Sequence, residues 1–354
     1  MNRFSTASRR VAVIGAGSWG TALAISLAES GHDVRLWARR EEAAERMRRE
    51  RHNPNYLPDA DIPPGIEITS ELGAAVADRE FWIFATPSQA VRSVAERLES
   101  VSHENLIVVS VAKGIENGTL LTTTSVLEQA LPGVPRGRIG VLYGPSHAEE
   151  VARHVPTTVV VAAHDVATAE QIQALFMTPT LRVYVNQDVC GVEIAGSVKN
   201  VLAIAAGISD GVGFGDNAKA ALLTRGMAEI RRLGVAMGAD PLTFAGLAGI
   251  GDLVVTCMSG LSRNRHLGEL IGQGMTLDEA EATMTMVAEG VRTTASVVEL
   301  ARRHDEEMPI TFAVYSILFE NKSPHAAVRD LMMRSAKRED WLVDRPHSEI
   351  RAGS

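Results

Sequence analysis

Cysteine is scarce: the 354 residues hold two, Cys190 and Cys257, at no metal-type spacing. That argues against a disulfide framework and fits a reducing compartment. No stretch reads as the roughly 18 consecutive apolar residues that a bilayer-spanning helix needs. Low-complexity linkers and internal repeats are lacking too. The N-terminus MNRFSTASRR is basic, yet it runs into strand-like VAVIG and not into the apolar run of a signal peptide. A cytoplasmic protein is expected. Excess positive charge is also missing. The net charge of −8 argues against a nucleic-acid surface while leaving room for local basic pockets.

What is present is core material. Hydrophobic residues make up 45% and charged residues 22%, and the length suits about two domains. Short β-branched runs at 11–15, 32–38, 81–87, 105–114 and 138–145 alternate with helical patterns at 18–30, 40–50, 89–98 and 120–131. Strands alternating with helices predict parallel pairing in a doubly wound sheet. The runs at 157–163 and 181–185 extend it. After Asn186 the pattern turns helical, at 189–207, 219–237, 265–271, 292–304 and 326–336. The expected organisation is an N-terminal extension (1–10), a Rossmann-like α/β domain (11–188), an all-α domain (189–336) and a mobile tail (337–354).

The first strand leads into Gly15-Ala16-Gly17-Ser18-Trp19-Gly20. A G-x-G-x-x-G turn between strand and helix is a dinucleotide signature. Gly15 permits the turn, Gly17 lets a pyrophosphate approach, and Gly20 lets helix and strand pack. The second strand ends in Arg39-Arg40 where NAD-specific enzymes carry an acid. Guanidinium groups suit a 2′-phosphate, so NADP(H) is favoured and NAD(H) remains possible.

Four more clusters gather polar groups. Lys113-Gly114 and Gly144-Pro145-Ser146 each end a strand, where ligands bind in open α/β sheets. Gly249-Ile250-Gly251-Asp252 lies between apolar helical segments, and Ser262-Arg263-Asn264-Arg265 opens a helix. Lys113, Arg263 and a helix N-terminus together suggest a phosphate-bearing substrate. Each also has a plain alternative: Lys113 a solvated loop end, Ser262 an ordinary N-cap, Arg263 a surface ion pair. Lys199 sits inside VEIAGSVKNVLAIAAG, an otherwise small and apolar run. It either snorkels to water or is held inside with a depressed pKa as a general acid or base, with Asn200 and Asp252 as candidate partners. Both cysteines read as small buried hydrophobes.

In order and spacing these motifs, from Val11 to Met333, resemble the bacterial NAD(P)-dependent glycerol-3-phosphate dehydrogenases. The segment Asn53-Pro54-Asn55-Tyr56-Leu57-Pro58 resembles that family's loop. The resemblance implies a Rossmann-like domain followed by a helical one, often as a homodimer. It also implies reversible reduction of dihydroxyacetone phosphate to sn-glycerol 3-phosphate for phospholipid synthesis. Lys199 would be the proton donor and acceptor. Lys113, Gly144, Ser146, Asp252, Ser262, Arg263 and Asn264 would line the substrate, with Lys113 and Arg263 shared with the cofactor. Ser18, Trp19, Arg39, Arg40, Ala148, Val287 and Glu289 would contact the dinucleotide. No metal is implied, because a positioned cation does a Lewis acid's work. Competing readings are a β-hydroxyacid or 6-phosphogluconate type dehydrogenase, a nucleotide-sugar dehydrogenase using Cys190, and a dinucleotide-binding regulator without turnover.

Overall fold

The computed structural model describes residues 7–284 and 288–336. The expected tail and Val287 lie outside these residues. Eight strands form one sheet: β1 (Arg10–Ile14), β2 (Asp33–Trp37), β5 (Glu67–Thr69), β6 (Phe81–Phe84), β7 (Ile107–Ser110), β8 (Ile139–Tyr143), β9 (Thr157–Ala163) and β10 (Leu181–Asn186). A small antiparallel pair, β3 (His52–Asn53) with β4 (Leu57–Asp61), stands beside it. The order is β10-β9-β8-β7-β6-β1-β2-β5. The central strands VAVI, FWIF and IVV are buried on both faces, as helices covering both sides require.

Three details differ from expectation. β8 and β9 pair antiparallel, through Tyr143 opposite Val160 and Gly140 opposite Ala163, so the sheet is mixed and not uniformly parallel. Alternating strands and helices signal crossovers, but a helix as short as Ala148–Ala152 lets the chain return instead of crossing over. Arg10 is the first residue of β1 and not part of an extension, and Arg9 is tied to the sheet beside it: Arg9 Nη1 and the Arg10 amide both donate to the Glu80 carboxylate, at 2.9 and 3.0 Å. And one helix, Val189–Val212, is long and apolar enough by composition to cross a membrane, although nearly all of it is buried in protein.

The strands β1, β6, β7 and β8 run parallel, so their C-terminal ends open onto one edge. Gly15, Ala85, Lys113 and Gly144 follow those ends. Beyond β10 the chain is helical. Val189–Val212 starts with the Asp188 carboxylate accepting from the Gly191 amide at 2.9 Å and ends in the left-handed Gly213. It is the axis of the helical half.

Its main neighbour is the helix Arg263–Gly272. The two cross on small residues. A methyl at Gly207 would fall on the Arg265 carbonyl, and one at Gly268 on the Ile204 carbonyl. This close approach puts the Arg263 end of one helix beside the middle of the other. Gly207→Ala gains up to about 1 kcal/mol of helix propensity. It sets that gain against a backbone carbonyl, which cannot rotate away as a side chain does. We expect a net loss of about 1–3 kcal/mol. Urea unfolding should show it as a lower midpoint at unchanged slope.

Candidate active site

The glycine turn is built as its spacing predicts. Gly15 has φ +122°, and a methyl there would lie 2.7 Å from the Ala85 carbonyl oxygen. A Cβ on Gly17 would meet nothing within 4 Å. The helix Ser18–Glu29 begins there without a side-chain cap, and the start of a helix presents backbone N–H donors. The arrangement fits a dinucleotide pyrophosphate. Asn53 stiffens the turn from outside: its side-chain amide donates to the Ala16 carbonyl at 3.0 Å and to the Thr21 hydroxyl at 2.8 Å. Next to Ala85, the Thr86 hydroxyl is buried with no protein partner, an orphaned group on the same rim.

The other cofactor candidates are spread around this turn. Ser18 and Trp19 are half-buried in the first turn of the helix, with Trp19 packed on the sheet core. Arg39 and Arg40 are exposed just beyond β2. Ala148 is buried at the start of Ala148–Ala152. Glu289 opens the helix Glu289–Arg303 and accepts from the Ser88 amide at 3.3 Å. Desolvation pushes the Glu289 carboxyl above its ordinary range, with Arg263 pulling the other way.

Two of the substrate candidates, Lys113 and Lys199, converge on a third, Asp252. Asp252 is 1% exposed. It opens the helix Asp252–Met258, just after a single wide turn, Leu247–Gly251. Gly249 makes that turn possible, because any Cβ would strike the Phe244 carbonyl. One Asp252 oxygen accepts from Lys113 Nζ at 2.8 Å, and the other accepts from Lys199 Nζ. Lys113 also donates to the Gly144 carbonyl at 3.1 Å, to which the Ser146 hydroxyl donates as well. Lys199 does not snorkel to water: it is 4% exposed. Besides Asp252 it donates to the Thr256 hydroxyl at 2.7 Å, and Thr256 donates onward to the Asp252 carbonyl at 2.6 Å. Asn200 is not its partner. The pairing partner Thr256 was missed, although D-x-x-x-T on a helix places both on one face and could have signalled it.

Burial lowers the Lys199 pKa to about 7; Asp252 opposes the shift and Lys113 adds to it. The side chain can therefore change protonation near neutrality. Ser262 takes the capping role, accepting from the Arg265 amide at 3.3 Å. Arg263 is exposed at the start of its helix. Asn264 is turned to the Gly290 amide, accepting at 2.9 Å, and so fastens this helix start to the one bearing Glu289. The cysteines are elsewhere in character: burial pushes Cys190 to about 11 and Cys257 to about 12, far from thiolate chemistry.

Models of the two halves of one family match the chain. The NAD-dependent glycerol-3-phosphate dehydrogenase N-terminus covers residues 10–169, and its C-terminus covers residues 188–329. A protein of Salinibacter ruber named glycerol-3-phosphate dehydrogenase (NAD(P)+) 2 is 64% identical over 335 residues, 95% of this chain and 97% of its own. One of Prosthecochloris aestuarii, named glycerol-3-phosphate dehydrogenase (NAD(P)+), is 54% identical over 329 residues, 93% of this chain and 99% of its own. The crystal structure of glycerol-3-phosphate dehydrogenase from Coxiella burnetii matches with a TM-score of 0.88 at 39% identity, covering 92% of this chain and 99% of that one. With the glycine turn, the two lysines on Asp252 and both family halves in place, the chain belongs to the NAD(P)-dependent glycerol-3-phosphate dehydrogenase family.

Proposed function

We propose that the protein reversibly reduces dihydroxyacetone phosphate to sn-glycerol 3-phosphate, with NADPH preferred over NADH. One observation carries the reading: a lysine from each half of the chain meets on a single buried aspartate, at the strand edge that holds the dinucleotide turn. The product would serve phospholipid synthesis, and a cytoplasmic homodimer belongs to the same reading.

In this scheme Gly15, Gly17, Gly20, Ser18 and Trp19 hold the pyrophosphate end of the dinucleotide, with Ala148, Glu289 and Val287 contacting it further along. Arg39 and Arg40 would receive a 2′-phosphate. When bound, the reduced nicotinamide supplies a hydride to the ketone carbon. The protein must then manage the charge that builds on the ketone oxygen. Lys199, as ammonium, polarises that oxygen and gives it a proton. Asp252 and Thr256 fix the direction of the Lys199 side chain. Lys113 and Arg263 supply positive charge to the substrate phosphate, with Gly144, Ser146, Ser262 and Asn264 shaping the pocket around it. In the oxidative direction neutral Lys199 takes the alcohol proton.

The experiment that tests this is NADPH oxidation with dihydroxyacetone phosphate, followed at 340 nm. Lys199→Ala should lower kcat by about 10²- to 10⁴-fold, the usual weight of a positioned acid. Turnover within a few-fold of wild type, in a folded variant, removes Lys199 from that role.

The pH dependence has a definite sign. Ketone reduction needs the ammonium form, which predominates below a pKa of about 7. The reductive kcat/KM should therefore be level on the acid side and fall by about tenfold per unit above that pKa. The oxidative direction should rise through the same region. A reductive profile that climbs with pH contradicts the assignment.

For the cofactor, Arg39→Ala should raise KM for NADPH by about tenfold, the loss of one charge-assisted contact, and leave NADH within about twofold. Equal effects on both would mean that Arg39 does not read the 2′-phosphate.

A further inference from the structure

Beneath the two lysines lies a second polar assembly that the proposed chemistry leaves unused. Tyr143 ends β8 and is 1% exposed. Its hydroxyl donates to the carbonyl of Ala112, the residue before Lys113. The Lys113 ammonium stands 5.6 Å from the centroid of the same ring. On its other edge the ring occupies the space a side chain at Gly196 would need. Gly196 is about one helical turn before Lys199. One aromatic plate thus touches both lysine-bearing segments, one from the sheet and one from the helical half.

The amide of Ala112 is held as well. It donates to the Ser110 hydroxyl at 3.3 Å, and Ser110 lies 2.8 Å from the Thr123 hydroxyl. Thr123 gives its proton to the Glu193 carboxyl at 2.9 Å. A threonine hydroxyl has a single proton, so Ser110 must donate to Thr123. Glu193, 1% exposed, also accepts from the Thr124 amide at 2.9 Å and from the Thr124 hydroxyl. The relay therefore runs from the Ala112 amide through two hydroxyls to a carboxyl on the helix that carries Lys199. Both polar atoms of the Ala112 backbone are gripped. Burial, with Glu193 nearby, pushes the Tyr143 phenol well above its ordinary value, so its hydroxyl keeps its proton and remains a donor.

We propose that Tyr143 is a positioning residue: it holds the Ala112–Lys113 segment against the Lys199 helix, so that Lys113 reaches both Asp252 and the substrate phosphate. The substrate half of that statement rests on the function proposed above; the holding of Lys113 on Asp252 does not.

The test uses full-length Tyr143→Phe, which keeps the plate and deletes one oxygen. With dihydroxyacetone phosphate, kcat/KM should fall by about five- to tenfold, mainly through KM, as one lost hydrogen bond implies. If Tyr143 acts through Lys113, the same change in a Lys113→Ala background should alter kcat/KM by less than about twofold. A fully additive effect, or no effect in wild type, overturns the proposal. A second reading is independent of turnover. Brief acetylation by acetic anhydride, followed by mass spectrometry, should label Lys113 about threefold faster in Tyr143→Phe, because its hold on Asp252 is loosened. Unchanged labelling overturns the positioning claim. Absent turnover in the wild-type protein would instead overturn the functional reading, and labelling would still decide the role of Tyr143. Should Tyr143→Phe not fold, Ser110→Ala frees the amide side of Ala112 and is read in the same two ways.

Discussion

The buried Asp252 carboxylate is the constraint on which the rest depends. It takes one ammonium on each oxygen, and the two lysines come from different halves of the chain. Unpaired, any of these three charges would cost several kcal/mol at such burial. Together they are two cations and one anion, so each lysine needs the aspartate and repels the other. Without the carboxylate, the apolar helix Val189–Val212 could keep Lys199 inside only as a neutral amine. Docking of the helical half on the sheet and retention of charge in the cleft are thus one requirement.

Meeting that requirement takes backbone geometry that few residues allow. The wide turn at Leu247–Gly251 aims Asp252, and it exists because Gly249 has no side chain to strike Phe244. The crossing of Val189–Val212 with Arg263–Gly272 depends on glycine facing carbonyl on both sides. A separate carboxyl, Glu229, does for the periphery what Asp252 does for the centre. It accepts from the Ile310 and Thr311 amides at 2.7 and 3.1 Å and so caps the helix Pro309–Phe319. Burial lifts Glu229 to about 7. In each case a buried acid is tolerated because it answers donors that would otherwise be orphaned.

The parts of this design that were legible in the sequence are those with a local signature. The glycine turn is contiguous and flanked by strand and helix, so spacing suffices. Lys199 stood out because a cation interrupts an apolar run, and Asp252 because it follows two closely spaced glycines, Gly249 and Gly251, between apolar segments. What could not be read is relational. The direction of β9 leaves no mark on hydrophobic alternation, which is the same for either pairing. The short strands β3, β4 and β5 carry a proline, charges and only two to five residues, and they form because neighbours are already placed. The helix Pro309–Phe319 is apolar nearly all round, so no amphipathic period announces it. Asn200 was the plausible partner of Lys199 by adjacency; yet consecutive helical residues point about 100° apart, and the hydrogen bonds went to Asp252 and Thr256 across the interface.

The same cluster explains why the lysine is poised and not locked in one state. Burial draws its pKa down, Asp252 draws it up, and Lys113 draws it down again. The third influence is the adjustable one. A phosphate dianion beside Lys113 and Arg263 would offset the positive charge that Lys113 presents to Lys199. The proton affinity of Lys199 would then rise as substrate arrives, loading the acid at the moment a ketone oxygen is within reach. On departure of the anion, Lys113 would again favour the neutral amine. In the proposed scheme two cations on one carboxylate would couple phosphate binding to proton supply without any moving part, and a single lysine paired with a single aspartate would not.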